Sequence, residues 1–145
     1  MDFSNRLKGL LYLNREELEE KFRNGFHTFQ LDVKKNSSSQ EMYEKAVALS
    51  LAILAVEDGH YYESEHQMIW SIVNDCVVSQ MRYLANDIVQ TDNLIGAMIQ
   101  VEGLLDRISF GGILGYADTA YCYFLLNGGV TPKRKKLLDD LFRNL

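Results

Sequence analysis

The chain has 145 residues, 47% of them hydrophobic, and 20 acidic against 15 basic side chains give it a formal net charge of −5. This length fits one domain with a sizeable core, and the hydrophobic share excludes disordered and low-complexity classes. The acidic balance argues against a nucleic-acid binder, which needs surplus Lys and Arg to neutralise phosphates.

Apolar residues recur at helical spacing in two segments at the start of the chain, at Phe3, Leu7, Leu10 and Leu11 and then at Leu18, Phe22, Phe26 and Phe29. Asn14 stands before two glutamates, which is typical of a helix start. Gly25 predicts a kink or an end in the second helix. The residues from Val33 to Ser39 are the most loop-like segment of the chain.

A buried central helix is predicted next. Ser38 stands three residues before Glu41, which is the spacing of a capping box. The segment Ala46–Val56 is apolar all round, as expected for a helix without a solvent face. Asp58-Gly59 ends this helix, because Gly tolerates the left-handed conformation that closes one.

Further helix boundaries are marked by polar and small residues. The next helix begins at Glu63 or Ser64. Its apolar stripe continues to Ile88, so the segment is either one long helix or, as we favour, two helices with a break near Asn74-Asp75. Thr91-Asp92 is predicted to cap the following helix. Gly111-Gly112 is predicted to separate that helix from its successor.

The last two helices complete an all-α pattern. Ile113–Leu126 is apolar almost throughout, Gly128-Gly129 terminates it, and Thr131-Pro132 has the favoured order for a helix start. Since no run alternates like a strand, we predict an all-α, compact bundle of six to eight helices. We also expect Ala46–Val56 and Ile113–Leu126 to pack against each other as the central pair.

An internal helical duplication is a further hypothesis. An offset of 69 residues places Asp58-Gly59 on Asn127-Gly128, Met68-Ile69 on Leu137-Leu138 and Ile72 on Leu141. Under this hypothesis the single domain 1–145 has an N-terminal helical segment, 1–37, and two helical units, 38–90 and 91–145. The alternative is a chance alignment of periodic apolar patterns.

The two glycine turns differ in charge. The first is surrounded by acids and histidines, namely Glu57, Asp58, His60, Glu63, Glu65 and His66. The second is followed by the basic run Lys133 to Lys136. We therefore expect one acidic and one basic end of the molecule.

An alanine-rich helix, an Asp-Gly turn, a later Glu and an Ile-patterned helix occur together at Ala52, Ala55, Asp58, Gly59, Glu65 and Ile69. This arrangement resembles the TerB-like tellurite-resistance family, in which the unit occurs twice. The second unit would run from Ala117 to Leu141, and it departs from the family pattern because Lys133 to Lys136 stand where acids are expected. The resemblance implies a compact helical domain, an acidic surface that binds divalent metal and a part in the stress response.

Candidate metal ligands concentrate at the first turn, at Asp58, His60, Glu63, Glu65 and His66. Imidazole with carboxylate ligands suits Zn²⁺, whereas carboxylates alone suit Ca²⁺. The spacing matches neither an EF-hand nor a His-Glu-x-x-His motif. The alternative is a solvated acidic turn whose carboxylates stabilise the start of the next helix.

Candidate contacts to a protein partner or a second copy lie near the same turns, at Glu57, Tyr61, Tyr62, Lys133 and Arg134. No nucleophile motif and no phosphate-binding loop is present. We therefore predict a non-enzymatic binding or scaffold module. The alternative is a metal-dependent enzyme or metal-responsive protein that uses the Glu57–His66 region.

The cysteines and the N-terminal residues indicate the cellular compartment of the protein. Cys76 and Cys122 form no Cys-x-x-Cys motif and lie among apolar neighbours. Two isolated buried thiols suit a reducing compartment, so we expect free thiols and a cytoplasmic protein. No secretory signal is visible, and the run Ala46–Val56 is far shorter than the roughly 18 residues that begin to suggest a membrane span.

Overall fold

The computed structural model describes residues 3–145, which form eight α-helices and no strand. The helices are α1 Ser4–Leu10, α2 Arg15–Lys35, α3 Gln40–Ala55, α4 Glu63–Val73, α5 Val77–Thr91, α6 Leu94–Leu105, α7 Phe110–Leu126 and α8 Pro132–Phe142. The predicted all-α class with six to eight helices is confirmed. None of the helices between residues 3 and 145 has the length and hydropathy needed to cross a membrane.

Several helix ends lie where the sequence places them. The Asn14 side chain accepts a hydrogen bond from the Glu17 N–H at 2.9 Å and the Glu17 carboxylate accepts one from the Asn14 N–H at 3.1 Å, so α2 opens with a capping box. Thr131 caps α8 through the Arg134 N–H at 3.2 Å. Asn74, with a φ of 44°, ends α4 and confirms the predicted break.

Three predicted helix starts were wrong by one to a few residues, because a neighbouring side chain reaches the orphan N–H groups better. Ser39, not Ser38, caps α3 and accepts from the Met42 N–H at 3.1 Å. Asn93 caps α6, whereas Thr91 ends α5 and Asp92 follows it at a φ of 50°.

The third of these starts is that of α7, which Ser109 caps. Gly111 and Gly112 therefore lie inside the first turn of α7 rather than before the helix. Gly25 likewise lies inside α2, which runs on to Lys35.

The central pair is α2 and α7, and α3 packs mainly along α5. The expectation that α3 and α7 are the main partners was therefore wrong, although both are largely buried and touch where the Tyr116 hydroxyl donates to the Ser50 carbonyl at 2.8 Å. Two glycines explain why α7 packs on α2 rather than on α3. A Cβ on Gly25 would lie 2.7 Å from the Gly115 carbonyl oxygen, and one on Gly115 would lie 2.6 Å from the Gly25 carbonyl oxygen. The backbones of α2 and α7 therefore meet closely.

The carboxylates of Asp32 and Asp118 connect helices of the central pair to neighbouring segments. Asp32 of α2 accepts from the Ser109 N–H at 2.7 Å and from the Ser109 hydroxyl at 2.6 Å, which places a negative charge at the start of α7. Arg6 of α1 makes a two-pronged ion pair with Asp118 of α7, with atoms at 2.5 and 2.8 Å. Short α1 is thereby held on the central pair.

The helix bounds agree with the offset on which the duplication hypothesis rests. Shifted by 69 residues, α4 coincides with α8, and α3 falls on α7 to within two residues. Gly59 and Gly128, the glycines of the two turns, both have positive φ, 85° and 98°. The order of helix, glycine turn and helix thus occurs twice, while descent from a duplication stays a prediction.

The two thiols differ in exposure. Cys122 is buried in α7, as predicted, but Cys76 is exposed. The prediction for Cys76 was wrong because it stands in the bend between α4 and α5 rather than on their apolar stripe. Burial raises the pKa of the Cys122 thiol to about 12, and a thiol held protonated is a poor nucleophile.

Candidate functional site

The acidic first turn and the basic α8 meet in the structure. The Arg134 Nε donates to the Glu57 carboxylate at 2.8 Å, and its Nη1 donates to the carbonyls of Asn127 and Gly129 at 2.6 and 2.8 Å. The guanidinium also lies 5.0 Å from the centre of the Phe124 ring. The side chains of Glu57 and Arg134 are 8% and 14% exposed. Two of the five residues proposed as partner contacts, Glu57 and Arg134, therefore bind each other.

Glu65 ties the start of α4 to α7. One of its carboxylate oxygens accepts from the hydroxyl of the buried Tyr123 at 2.8 Å, and the other faces the Tyr62 N–H at 3.4 Å. Burial raises the pKa of Glu65, and the hydrogen bond from Tyr123 opposes that shift. Glu65 thus has a structural task where the start of α4 meets α7.

The neighbouring ligand candidates on α4 face different ways. The Tyr61 hydroxyl and His66 Nδ1 are hydrogen-bonded at 2.9 Å. His66 is buried, and burial lowers its pKa, which favours the neutral ring. Glu63 is exposed and pairs with Arg82 of α5 at 2.6 Å. Although Glu63 and His66 are three residues apart, one points to solvent and the other into the protein.

No group of three or more His, Cys, Asp or Glu side chains within residues 3–145 is arranged to hold a metal ion. Three of the five predicted ligands bind side chains of other residues: Glu65 and His66 bind tyrosines, and the exposed Glu63 binds Arg82. The other two, Asp58 and His60, are exposed in the turn. Asp58 accepts from the His60 N–H at 3.1 Å, which stabilises the turn. Tyr62, half exposed, stands beside them.

A cavity of 270 Å³ adjoins the exposed part of the turn. Its polar rim includes Asp58, Lys133 and Asp92, and its apolar lining includes Val56 and Leu94. Asp92 comes from the α5–α6 turn, more than thirty residues along the chain from Asp58. Only the folded chain brings these two carboxylates to one rim.

A second cavity, of 340 Å³, lies between α3 and α6, and we call it the α3–α6 groove. It is lined by Met42, Lys45, Ala46, Leu49, Gln100, Val101, Gly103, Leu104 and Arg107. No carboxylate lines it, in a chain with a net charge of −5. The sequence analysis missed this groove. Within α6, Gln100 and Gly103 look like ordinary helix residues, and Arg107 stands in the turn after the helix, so no local pattern marks the groove.

The two cations of the groove are available to a ligand. Lys45 and Arg107 are exposed, and neither forms an ion pair with the residues that the structure describes. Large apolar side chains on the same two helices are exposed: Met42, part of the lining, is 54% exposed, and Ile95 and Ile99, elsewhere on α6, are 75% and 61% exposed. Exposed apolar residues beside unpaired charges are typical of an interaction surface.

Comparison of the chain with models of protein families, with curated proteins and with solved structures found no match. The resemblance to the TerB-like family therefore stays a prediction from short motifs.

Proposed function

We propose that the chain is a non-enzymatic, cytoplasmic binding module and that a protein partner docks on the α3–α6 groove. The observation that carries this proposal is the groove itself, with an apolar floor, two cations without ion pairs and no carboxylate. Val101 and Leu104 form part of the floor and are nearly inaccessible already. Affinity must therefore come also from covering the exposed side chain of Met42 in the lining.

Gly103 offers a direct test of the groove. A Cβ at Gly103 would meet no atom within 4 Å, so leucine fits the fold there and is the better helix former by about 0.8–1 kcal/mol. Its side chain would project into the groove. We expect Gly103→Leu to reduce capture of specific partners at least about tenfold, which corresponds to about 1.4 kcal/mol. Quantitative mass spectrometry of proteins retained on immobilised wild type and variant measures this.

Gly9→Leu is the matched control, because Gly9 also has open space around its Cβ position and lies on α1, outside the groove. We expect this control to retain the partners that wild type captures. If Gly103→Leu retains every one of them at wild-type level, docking on the groove is wrong.

A second candidate function is a cation site or a contact to a basic partner at the acidic turn, as the TerB-like resemblance implies. The observation that favours it is the shared cavity rim of Asp58 and Asp92, two exposed carboxylates on separate turns. A cation there would join the α3–α4 and α5–α6 turns, and binding to the folded state alone raises the unfolding temperature. A part in the stress response would follow from the same resemblance.

The variant Asp58→Asn/Asp92→Asn tests this second candidate. We expect Ca²⁺ or Zn²⁺ to raise the unfolding temperature of wild type but not of the variant, and a basic partner to bind wild type more weakly as salt rises. Asp106→Asn, an exposed change outside that cavity, is the control. Identical responses of all three proteins to both metals and to salt would leave the turn with a structural role only.

A further inference from the structure

The α3–α6 groove runs along two helices. Its lining residues on α3 are Met42, Lys45, Ala46 and Leu49, those on α6 are Gln100, Val101, Gly103 and Leu104, and Arg107 stands in the turn just after α6. The α3 set follows the spacing of a single helix face, i, i+3, i+4 and i+7, and Gln100, Gly103 and Leu104 on α6 follow the first three of these positions. Seven residues of helix extend about 10 Å at 1.5 Å per residue. The groove is therefore a slot with about two turns of α3 along one side, a length against which a helical occupant can pack.

Small residues allow such an occupant to come close. Ala46 lies on the α3 side of the slot and Gly103 on the α6 side. The direction in which a Gly103 side chain would point is empty to 4 Å. Helices pack at interaxial distances of about 8–10 Å, and the shorter distances need small residues at the contact. Ala46 and the open space at Gly103 therefore favour the close approach of a third helix.

The charged residues that line the slot favour a partner helix with acidic side chains. Lys45 and Arg107 are the charged groups of the lining, and the Gln100 amide can also donate. Charge complementarity at an interface suppresses partners of the wrong sign and fixes register. Because the chain as a whole carries −5, its overall field repels an acidic ligand, so a preference for acid can arise only from local contacts.

We propose that the α3–α6 groove binds an amphipathic α-helix of a partner protein, with its apolar stripe on Ala46, Val101 and Gly103 and with carboxylates beside Lys45 and Arg107. This recognition is the helix-in-groove mode, in which apolar anchors at i, i+3, i+4 and i+7 enter the slot. The inference rests on the proposed function and adds the secondary structure and charge of the partner.

Three synthetic peptides of about 16 residues, long enough for measurable helicity, test the inference. The first carries Leu at i, i+3, i+4 and i+7 with Glu flanking that stripe. The second has Lys for each Glu, and the third has Ser for each Leu. Each is titrated into isotope-labelled protein and followed by amide chemical shifts. We expect the acidic peptide to perturb Ala46 and Gly103 and to bind about tenfold tighter than the basic one at low salt.

Variants identify the contacts. Lys45→Gln/Arg107→Gln is expected to remove the preference for the acidic peptide, and rising salt should weaken that preference. Gly103→Leu is expected to abolish the shifts at the groove, whereas Gly9→Leu keeps them. The Ser-substituted peptide should not bind, since its charges lack an apolar stripe.

The inference is overturned if the basic peptide binds as tightly as the acidic one, or if the shifts map away from the groove. It is also overturned if a natural partner that depends on Gly103 engages the groove with a basic or non-helical segment. That last result would leave the proposed function standing, because docking on the groove would still be shown. Retention of all partners by Gly103→Leu would instead remove the proposed function.

Discussion

Replacing Arg134 by Met should lower the free energy of unfolding by about 3–5 kcal/mol, because the change leaves the buried charge of Glu57 without its partner. Glu57 is only 8% exposed at its side chain, so water compensates poorly for the lost guanidinium. The carbonyls of Asn127 and Gly129 lose their donor at the same time. Urea denaturation followed by far-UV circular dichroism measures the loss.

Lys135→Met is the control on the same helix. Its ion pair with Asp139 is exposed, 53% and 59% at the two side chains, and such pairs contribute about 0.5 kcal/mol or less. Combining Arg134→Met with Glu57→Leu should restore part of the lost stability, since no buried charge is then left alone. A cost for Arg134→Met no larger than that for Lys135→Met would contradict a structural role for the pair.

Gly25→Ala should lower the free energy of unfolding by about 1–3 kcal/mol, the usual cost of overpacking a core. The new Cβ would lie 2.7 Å from the Gly115 carbonyl oxygen and 3.0 Å from the Asp118 Cβ. Backbone atoms cannot swing aside as the end of a flexible side chain can, so α2 and α7 must move apart. Thermal and urea unfolding of the purified variant measure the effect.

A change from glycine to alanine at Gly9 is not expected to lower the free energy of unfolding. Gly9→Ala meets no atom within 4 Å, and alanine is favoured over glycine within a helix by up to about 1 kcal/mol. Gly9→Ala should therefore be neutral or stabilising. If Gly25→Ala is as stable as Gly9→Ala, close backbone packing of α2 on α7 is not what holds the central pair.

The candidate site shows how far local patterns reach. The sequence locates the acidic turn, and Glu57 through His66 do lie around it. It does not show that Arg134 binds Glu57 or that Tyr123 binds Glu65, because each partner is more than fifty residues away along the chain. Proximity along the chain suggested a metal site, whereas long-range hydrogen bonds divide the same carboxylates between separate tasks.

The α3–α6 groove was out of reach for a related reason. Each of its two walls reads as an ordinary helix face, and Ala46 and Gly103 look like routine helix residues. Only the positions of α3 and α6 relative to each other make these faces a slot with Lys45 and Arg107 in one lining. A groove is a property of two surfaces, and a periodic pattern describes one surface at a time.

The sequence by itself determined the all-α class, the caps at Asn14 and Thr131, the break at Asn74 and the burial of α3 and α7. These follow from hydrogen bonds within a few residues and from apolar periodicity, which are local. Only the tertiary structure decided that α7 packs on α2 rather than α3. Apolar periodicity predicts which face of a helix is buried, but it does not predict which helix covers that face. Here the close backbone contact at Gly25 and Gly115 determines that α7 packs on α2.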